Sequence, residues 1–180
     1  MNAMKLLGKR TTVIFVVAIF LVIATIFFLF KREKGNMLPP VPLHELPNLV
    51  FKNYEGQEVN LAAIRGRPLV INTWASWCPF CVAELPRLAA LQKQYGDRIL
   101  ILEVNRGESA EIAKKYTEQS SFAKDLDFVL DPSDSLYTAI GGFSMPETIF
   151  VSKDGLILYH KRGPMDLLEM QRRVQDIFGL

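Results

Sequence analysis

With 180 residues, 49% of them apolar, the chain is long enough for one domain and an appendage, and it shows neither internal repeats nor low-complexity tracts. Its formal net charge of +2 is unevenly spread: residues 1–36 hold six Lys/Arg and one acid, whereas residues 37–180 hold fifteen Lys/Arg and eighteen acids. The larger part is therefore mildly acidic, without the clustered basic face that a nucleic-acid surface needs.

Residues 1–10 form a short basic flank, and residues 11–30 follow as an uncharged stretch of 20 residues. As a helix this stretch spans about 30 Å, enough to cross the hydrocarbon core of a bilayer, and it predicts a transmembrane anchor. A cleaved secretory signal fits less well, because no A-x-A-like site ends the segment. No cysteine lies near it to carry a lipid. Lys5, Lys9 and Arg10 precede it and Lys31, Arg32 and Lys34 follow, so the positive-inside count is balanced. The sparse use of cysteine leaves no spare thiol to mispair in an oxidising compartment, so we expect the N-terminus inside and the domain outside.

Residues 31–47 carry Gly35 and then Pro39, Pro40, Pro42 and Pro47, a composition that predicts a tether. Residues 49–54 and 58–61 flank a Glu55-Gly56 turn and predict a small hairpin. Residues 69–75 are continuously apolar in character, as a strand buried on both faces should be. A helix is expected from Cys78 to about Tyr95, bent or interrupted by Pro86. A strand at 98–104, a helix at 108–119 and a short strand at 128–130 follow. Asp131-Pro132 should cap a helical turn through Tyr137. Residues 148–151 and 156–159, joined at Lys153-Asp154-Gly155, predict a hairpin. Residues 166–178 predict an amphipathic helix offering Leu167, Leu168, Met170, Val174 and Ile177 for burial. Alternating strands and helices that end in an antiparallel hairpin imply an α/β sandwich with a mixed central sheet flanked by helices.

The two cysteines of the chain, Cys78 and Cys81, sit where the apolar strand ends and the helix begins. With Cys78 at the helix start and Pro79 in the first helical position, unpaired amides point at the Cys78 sulfur and favour its thiolate. The thiolate is the attacking species in disulfide exchange, so Cys78 is the expected nucleophile. Cys81, one turn further in, is the expected resolving thiol. A purely structural disulfide closing so short a loop would contribute only about 2 kcal/mol. A zinc site would need more ligands than the distant His44 and His160 supply.

The run Trp74-Ala75-Ser76-Trp77-Cys78-Pro79-Phe80-Cys81, then Glu84 and Pro86, then Met145-Pro146-Glu147-Thr148 before Asp154-Gly155, resembles the thioredoxin superfamily over roughly residues 40–180. Within it, the chain resembles the membrane-anchored TlpA/ResA-like thiol-disulfide oxidoreductases and the related thioredoxin-like reductants of cytochrome c biogenesis. The resemblance implies a thioredoxin-like α/β fold over residues 48–180, preceded by one transmembrane helix. It implies that Pro146 follows a cis peptide bond opposite the cysteines and that Met145 offers its backbone to the substrate. Read without the resemblance, Pro146 is equally an ordinary turn proline.

Glu84 lies one turn beyond Cys81, on the flank of the helix face that holds Cys81, Leu85 and Leu88. A partly buried carboxylate there would have a raised pKa and could exchange protons with Cys81. Residues alone equally allow a solvated acid favoured by the helix dipole; the matching glutamate of ResA-like reductants favours the proton role. Thioredoxin has a buried acid six residues before its first cysteine, where this chain has Asn72, an amide that cannot exchange a proton at neutral pH. We expect Asn72 to be a hydrogen-bonded structural residue.

Phe80 between the cysteines adds no donor to the thiolate, whereas a histidine there would make the pair oxidising. The expected potential therefore lies well below the roughly −120 mV of DsbA. Trp77 and Phe80 either contact unfolded thiol substrates or pack around the site. The resulting expectation is a single-pass protein-disulfide reductase on the extracytoplasmic, periplasmic side of the cell membrane. Its redox-active Cys78–Cys81 disulfide would work without a further cofactor or metal. Apocytochrome c is the leading substrate class, and a membrane thiol conduit of the CcdA/DsbD type the implied electron source. A disulfide oxidase or isomerase, a copper-delivery module using both thiolates and His160, and a noncatalytic docking domain are the rivals.

Overall fold

The computed structural model describes residues 18–21, 25 and 45–180. The chain divides into two compact units, Met1–Pro39 and Pro40–Leu180. In the first, the described residues are helical and exposed, and Thr25 Oγ1 donates to the Leu21 carbonyl at 2.9 Å. The rest of the expected anchor at 11–30, and most of the tether, lie outside the described residues. Among the described residues no helix is long and apolar enough to cross a membrane.

The second unit is built on a seven-stranded mixed sheet. Its strands are β1 (Val50–Asn53), β2 (Glu58–Asn60), β3 (Leu69–Trp74), β4 (Leu100–Arg106), β5 (Asp127–Asp131), β6 (Glu147–Val151) and β7 (Ile157–Arg162). The spatial order is β2-β1-β5-β4-β3-β6-β7. β3, β4 and β5 are parallel, and the other pairings are antiparallel. Every residue of β3 is buried, as its unbroken apolar character requires of a strand covered on both faces. At the end of the expected tether, Leu46 is buried and donates its amide to the Gly155 carbonyl at 2.9 Å.

Side chains alternate between two cores with the period of two that strands impose. Val70, Trp74, Ile101, Phe128 and Phe150 face one core, which also takes residues from α1 (Pro79–Tyr95), α2 (Ala110–Glu118) and α4 (Leu167–Phe178). Leu69, Ile71, Leu102, Val104, Val129 and Ile149 face the other, with Leu136 of α3 (Ser135–Ala139).

Several local expectations are corrected. α1 runs unbroken through Pro86: the proline is exposed, while Cys81, Leu85, Leu88 and Ala89 anchor the opposite face in the core. Packing of that face outweighs the one missing backbone donor. Glu108 does not enter α2, which begins after Ser109, whose side chain caps the Ile112 amide. Leu168 is 61% exposed rather than buried; Met170 and Val174 form the buried stripe of α4. One local expectation holds: Asp131 caps α3, its two carboxylate oxygens accepting from the Ser135 and Leu136 amides at 2.9 and 2.8 Å.

Candidate active site

β3 ends at Trp74, and the chain turns through Ala75, Ser76 and Trp77 to enter α1. The Cys78 amide closes that turn on the Ala75 carbonyl at 3.1 Å. Cys78 is the N-cap of α1, in extended backbone conformation, and Pro79 occupies the first turn of the helix. Its sulfur accepts the Cys81 N–H at 3.1 Å, so the free amides of the helix start do face Cys78 as the spacing requires. Cys78 and Cys81 are joined as a disulfide. Both are buried, Cys81 completely.

Trp77 and Phe80 project outward, 64% and 62% exposed. They do not pack into the core. Phe143, which sequence reasoning passed over, is also exposed, at 86%, on the loop that leads into Met145 and Pro146. The Met145–Pro146 peptide is cis. Thr73 is paired with Glu147 across β3 and β6, which brings Pro146 to the end of β3 where the cysteine turn begins. Met145 packs against the core cluster that contains both cysteines. Its amide and carbonyl are engaged by no other group among the described residues.

Glu84 is fully buried rather than partly so. Its Oε1 accepts the Met165 amide at 2.7 Å and its Oε2 accepts an Asn72 side-chain N–H at 3.1 Å. Burial pushes the Glu84 carboxyl up to about 7; these two donors, and the more distant charges of Arg87 and Lys161, oppose the rise without cancelling it. Asn72 donates its second amide proton to Thr148 Oγ1 at 2.9 Å. It is thus a bridge between the central strand, its neighbour and the buried acid.

Two further acids shape the site, and composition alone did not mark them. Glu108 accepts the Ser76 amide at 2.9 Å, the Ser76 hydroxyl at 2.5 Å and the Asn105 amide at 2.7 Å, so it pins the turn that presents Cys78. Glu147 is buried beside Pro146. Its Oε1 accepts the Phe143 and Ser144 amides at 2.6 Å each, and its Oε2 lies 2.6 Å from His160 Nε2. His160 is therefore committed to Glu147 rather than to the cysteines. Among the described residues no group of three or more His, Cys, Asp or Glu side chains could hold a metal ion; His44 lies outside them. A cleft of about 510 Å³ beside Tyr54, Thr117 and Phe128 contains none of the residues singled out by sequence.

The model of the Redoxin family matches residues 43–173. The chain is 29% identical over 132 residues to the thiol-disulfide oxidoreductase ResA of Geobacillus thermodenitrificans, covering 73% of this chain and 75% of that protein. It is 26% identical over 167 residues to the thiol:disulfide interchange protein DsbE of Allochromatium vinosum, covering 88% of each. Among solved structures it is similar to an exposed lipoprotein thioredoxin from Streptococcus pneumoniae, with a TM-score of 0.64 and 26% identity over 72% of this chain and 99% of that one.

Proposed function

The chain belongs to the Redoxin family and is a thiol-disulfide oxidoreductase, and from that premise we propose that it works as a reductase of extracytoplasmic protein disulfides, tethered by an anchor at residues 11–30. Apocytochrome c is the leading substrate class, in keeping with the ResA and DsbE relatives. The observation that carries the reading is the buried carboxyl of Glu84 one helical turn behind Cys81. Its pKa near 7 lets it hold or release a proton at neutral pH.

In the reduced enzyme the Cys78 thiolate attacks one sulfur of the substrate disulfide. The substrate S–S bond breaks, and a Cys78–substrate mixed disulfide forms with release of a substrate thiolate. Glu84, as carboxylate, takes the Cys81 proton, and Cys81 then attacks Cys78 Sγ. The mixed disulfide breaks, the second substrate thiolate leaves, and Cys78–Cys81 is oxidised by two electrons. A membrane thiol conduit of the CcdA/DsbD kind would return two electrons, the proton held on Glu84 going back to Cys81 and the released substrate thiolates taking theirs from solvent. Trp77 and Phe80 supply an apolar border for an unfolded substrate, and the free backbone of Met145 a place for its chain to align.

Direction is tested by the equilibrium potential of the Cys78/Cys81 pair against glutathione. A value well below the roughly −120 mV of DsbA supports the reductase, and one near it makes the protein an oxidase. Trapping with Cys81→Ser in cells, which leaves substrates covalently held on Cys78, identifies the substrate and its compartment; recovery of cytosolic proteins alone would sink the extracytoplasmic assignment.

A further inference from the structure

A polar row crosses the sheet beneath α1. Asn72 on β3 is paired with Glu103 on β4 and with Thr148 on β6, and all three are completely buried. They face the α1 side, because Val70, Trp74 and Ile101, two positions away along their strands, lie in that core, while Ile71, Leu102 and Val104 lie in the other. Glu103 is not part of the C-x-x-C or proline motifs, and nothing in the exchange mechanism above uses it.

The hydrogen bonds of this row do not close. Asn72 spends both amide protons, on Glu84 and on Thr148, and its Oδ1 has no partner; neither does either carboxyl oxygen of Glu103. An amide oxygen and an ionised carboxylate are both acceptors, so these two can satisfy one another only if one of them carries a proton. A buried polar group left unpaired costs about 1–3 kcal/mol. The one charged group acting on Glu103 gives an anion no compensation: it is Glu84, on α1, while Tyr54, in the turn after β1, is a phenol whose own ionisation Glu103 and Glu108 oppose. Arg87 and Lys161 act on Glu84. Burial first, and the Glu84 charge second, push the Glu103 carboxyl well above the ordinary range.

We propose that Glu103 is a positioning residue: held neutral, it donates its O–H to Asn72 Oδ1, fixes the orientation of that amide, and so keeps the Asn72 N–H aimed at Glu84. A turned-over Asn72 would instead present its oxygen to the Glu84 carboxylate. The buried acid absent from position 72 is thereby recovered on the adjacent strand, not as the base but as the group that steadies it. The functional part of this inference rests on the proton exchange between Glu84 and Cys81; the hydrogen bond itself does not.

The test uses the full chain in its oxidised form. At neutral pH, where exposed carboxyls are ionised, infrared spectra of Glu84→Gln should retain the carbonyl band of a neutral carboxyl, and adding Glu103→Gln to that variant should abolish it. The Glu84 titration, read by carbon NMR, should move upward by about one pH unit in Glu103→Leu, where the Asn72 donor is no longer held. Glu103→Gln should leave it near the wild-type midpoint, because a carboxamide N–H replaces the lost O–H. Absence of the band, or an equal Glu84 displacement in both variants, overturns the proposal. If Glu103→Leu fails to fold, the band and the Glu103→Gln titration decide. Should Glu84→Gln leave the thiol pH profile untouched, the Glu84 relay fails while these readouts still judge Glu103.

Discussion

Glu84 Oε1 accepts the Met165 amide at 2.7 Å, tying α1 to the segment before α4 across 81 positions of the chain. Two donors hold this carboxyl, yet its pKa rises from 4.5 to about 7, because burial outweighs them. The native carboxyl thus binds its proton more tightly than the unfolded one. Its contribution to stability is full below about pH 4.5, is lost as pH rises through about 7, and is flat above that. A displacement of this size corresponds to about 3 kcal/mol. Urea unfolding of the oxidised protein should show this loss between about pH 4.5 and pH 8, and Glu84→Gln should remove most of it. Equal pH dependence in both proteins would refute the assignment.

The same carboxyl should control the second chemical step and leave the first alone. Removing a general base of this kind slows the assisted step by about 10²- to 10⁴-fold. In Glu84→Gln, attack by Cys78 on a small disulfide should keep its rate, while resolution of the mixed disulfide by Cys81 slows by about 10²-fold and loses its inflection near neutral pH. Stopped-flow kinetics with a fluorescent mixed disulfide separates the two steps. Slowing of both alike would mean that Glu84 acts only through the structure of α1.

What could be read in advance follows from which signals are local. The strands at 69–74 and 147–151 and the helix from Pro79 announce themselves through apolar runs and the proline at the helix start, and Cys78 lands on its N-cap for the same reason. Glu84 was legible from helical spacing, but its complete burial was not, because that depends on Met165 and Asn72 arriving from elsewhere in the chain. Glu108 and Glu147 were illegible as parts of the site for a related reason. Each satisfies backbone amides on a neighbouring loop, a task assigned by tertiary contact and invisible to periodicity. At Pro86 the sequence left a bend or an interruption open, and the helix continues without interruption because one exposed turn tolerates the missing donor.

Glu147 is expected to matter through the loop it holds. Glu147→Ala removes the acceptor of the Phe143 and Ser144 amides and the partner of His160. Its cost should be about 2–4 kcal/mol, since hydrogen bonds to a buried charge are among the stronger ones. Loosening the segment ahead of Met145 should also raise KM for protein substrates several-fold, with little change toward a small disulfide. Glu147→Gln, which keeps one carbonyl oxygen for the two amides, should recover part of the stability. Denaturation midpoints and paired substrate kinetics check both; an alanine variant as stable as wild type would show that the loop holds itself.

The exposed rings beside the disulfide give the sharpest division between structure and recognition. Trp77 and Phe80 are each more than half exposed, so truncating them removes little from the core and should change stability by no more than about 0.5 kcal/mol. Apolar side chains that stay in water in the free protein are instead available to be covered by a substrate. Trp77→Ala and Phe80→Ala should therefore raise KM for an unfolded protein disulfide substrate by about 10-fold, the effect expected when about 1.4 kcal/mol of contact is lost. The rate with a small disulfide should stay within about 2-fold of wild type, because attack depends on the Cys78 thiolate at the helix start and not on the rings. Parallel assays with an unfolded protein disulfide and with oxidised glutathione distinguish the cases. Equal losses on both substrates would assign the rings to the disulfide's own environment, and no loss on either would place substrate contact elsewhere.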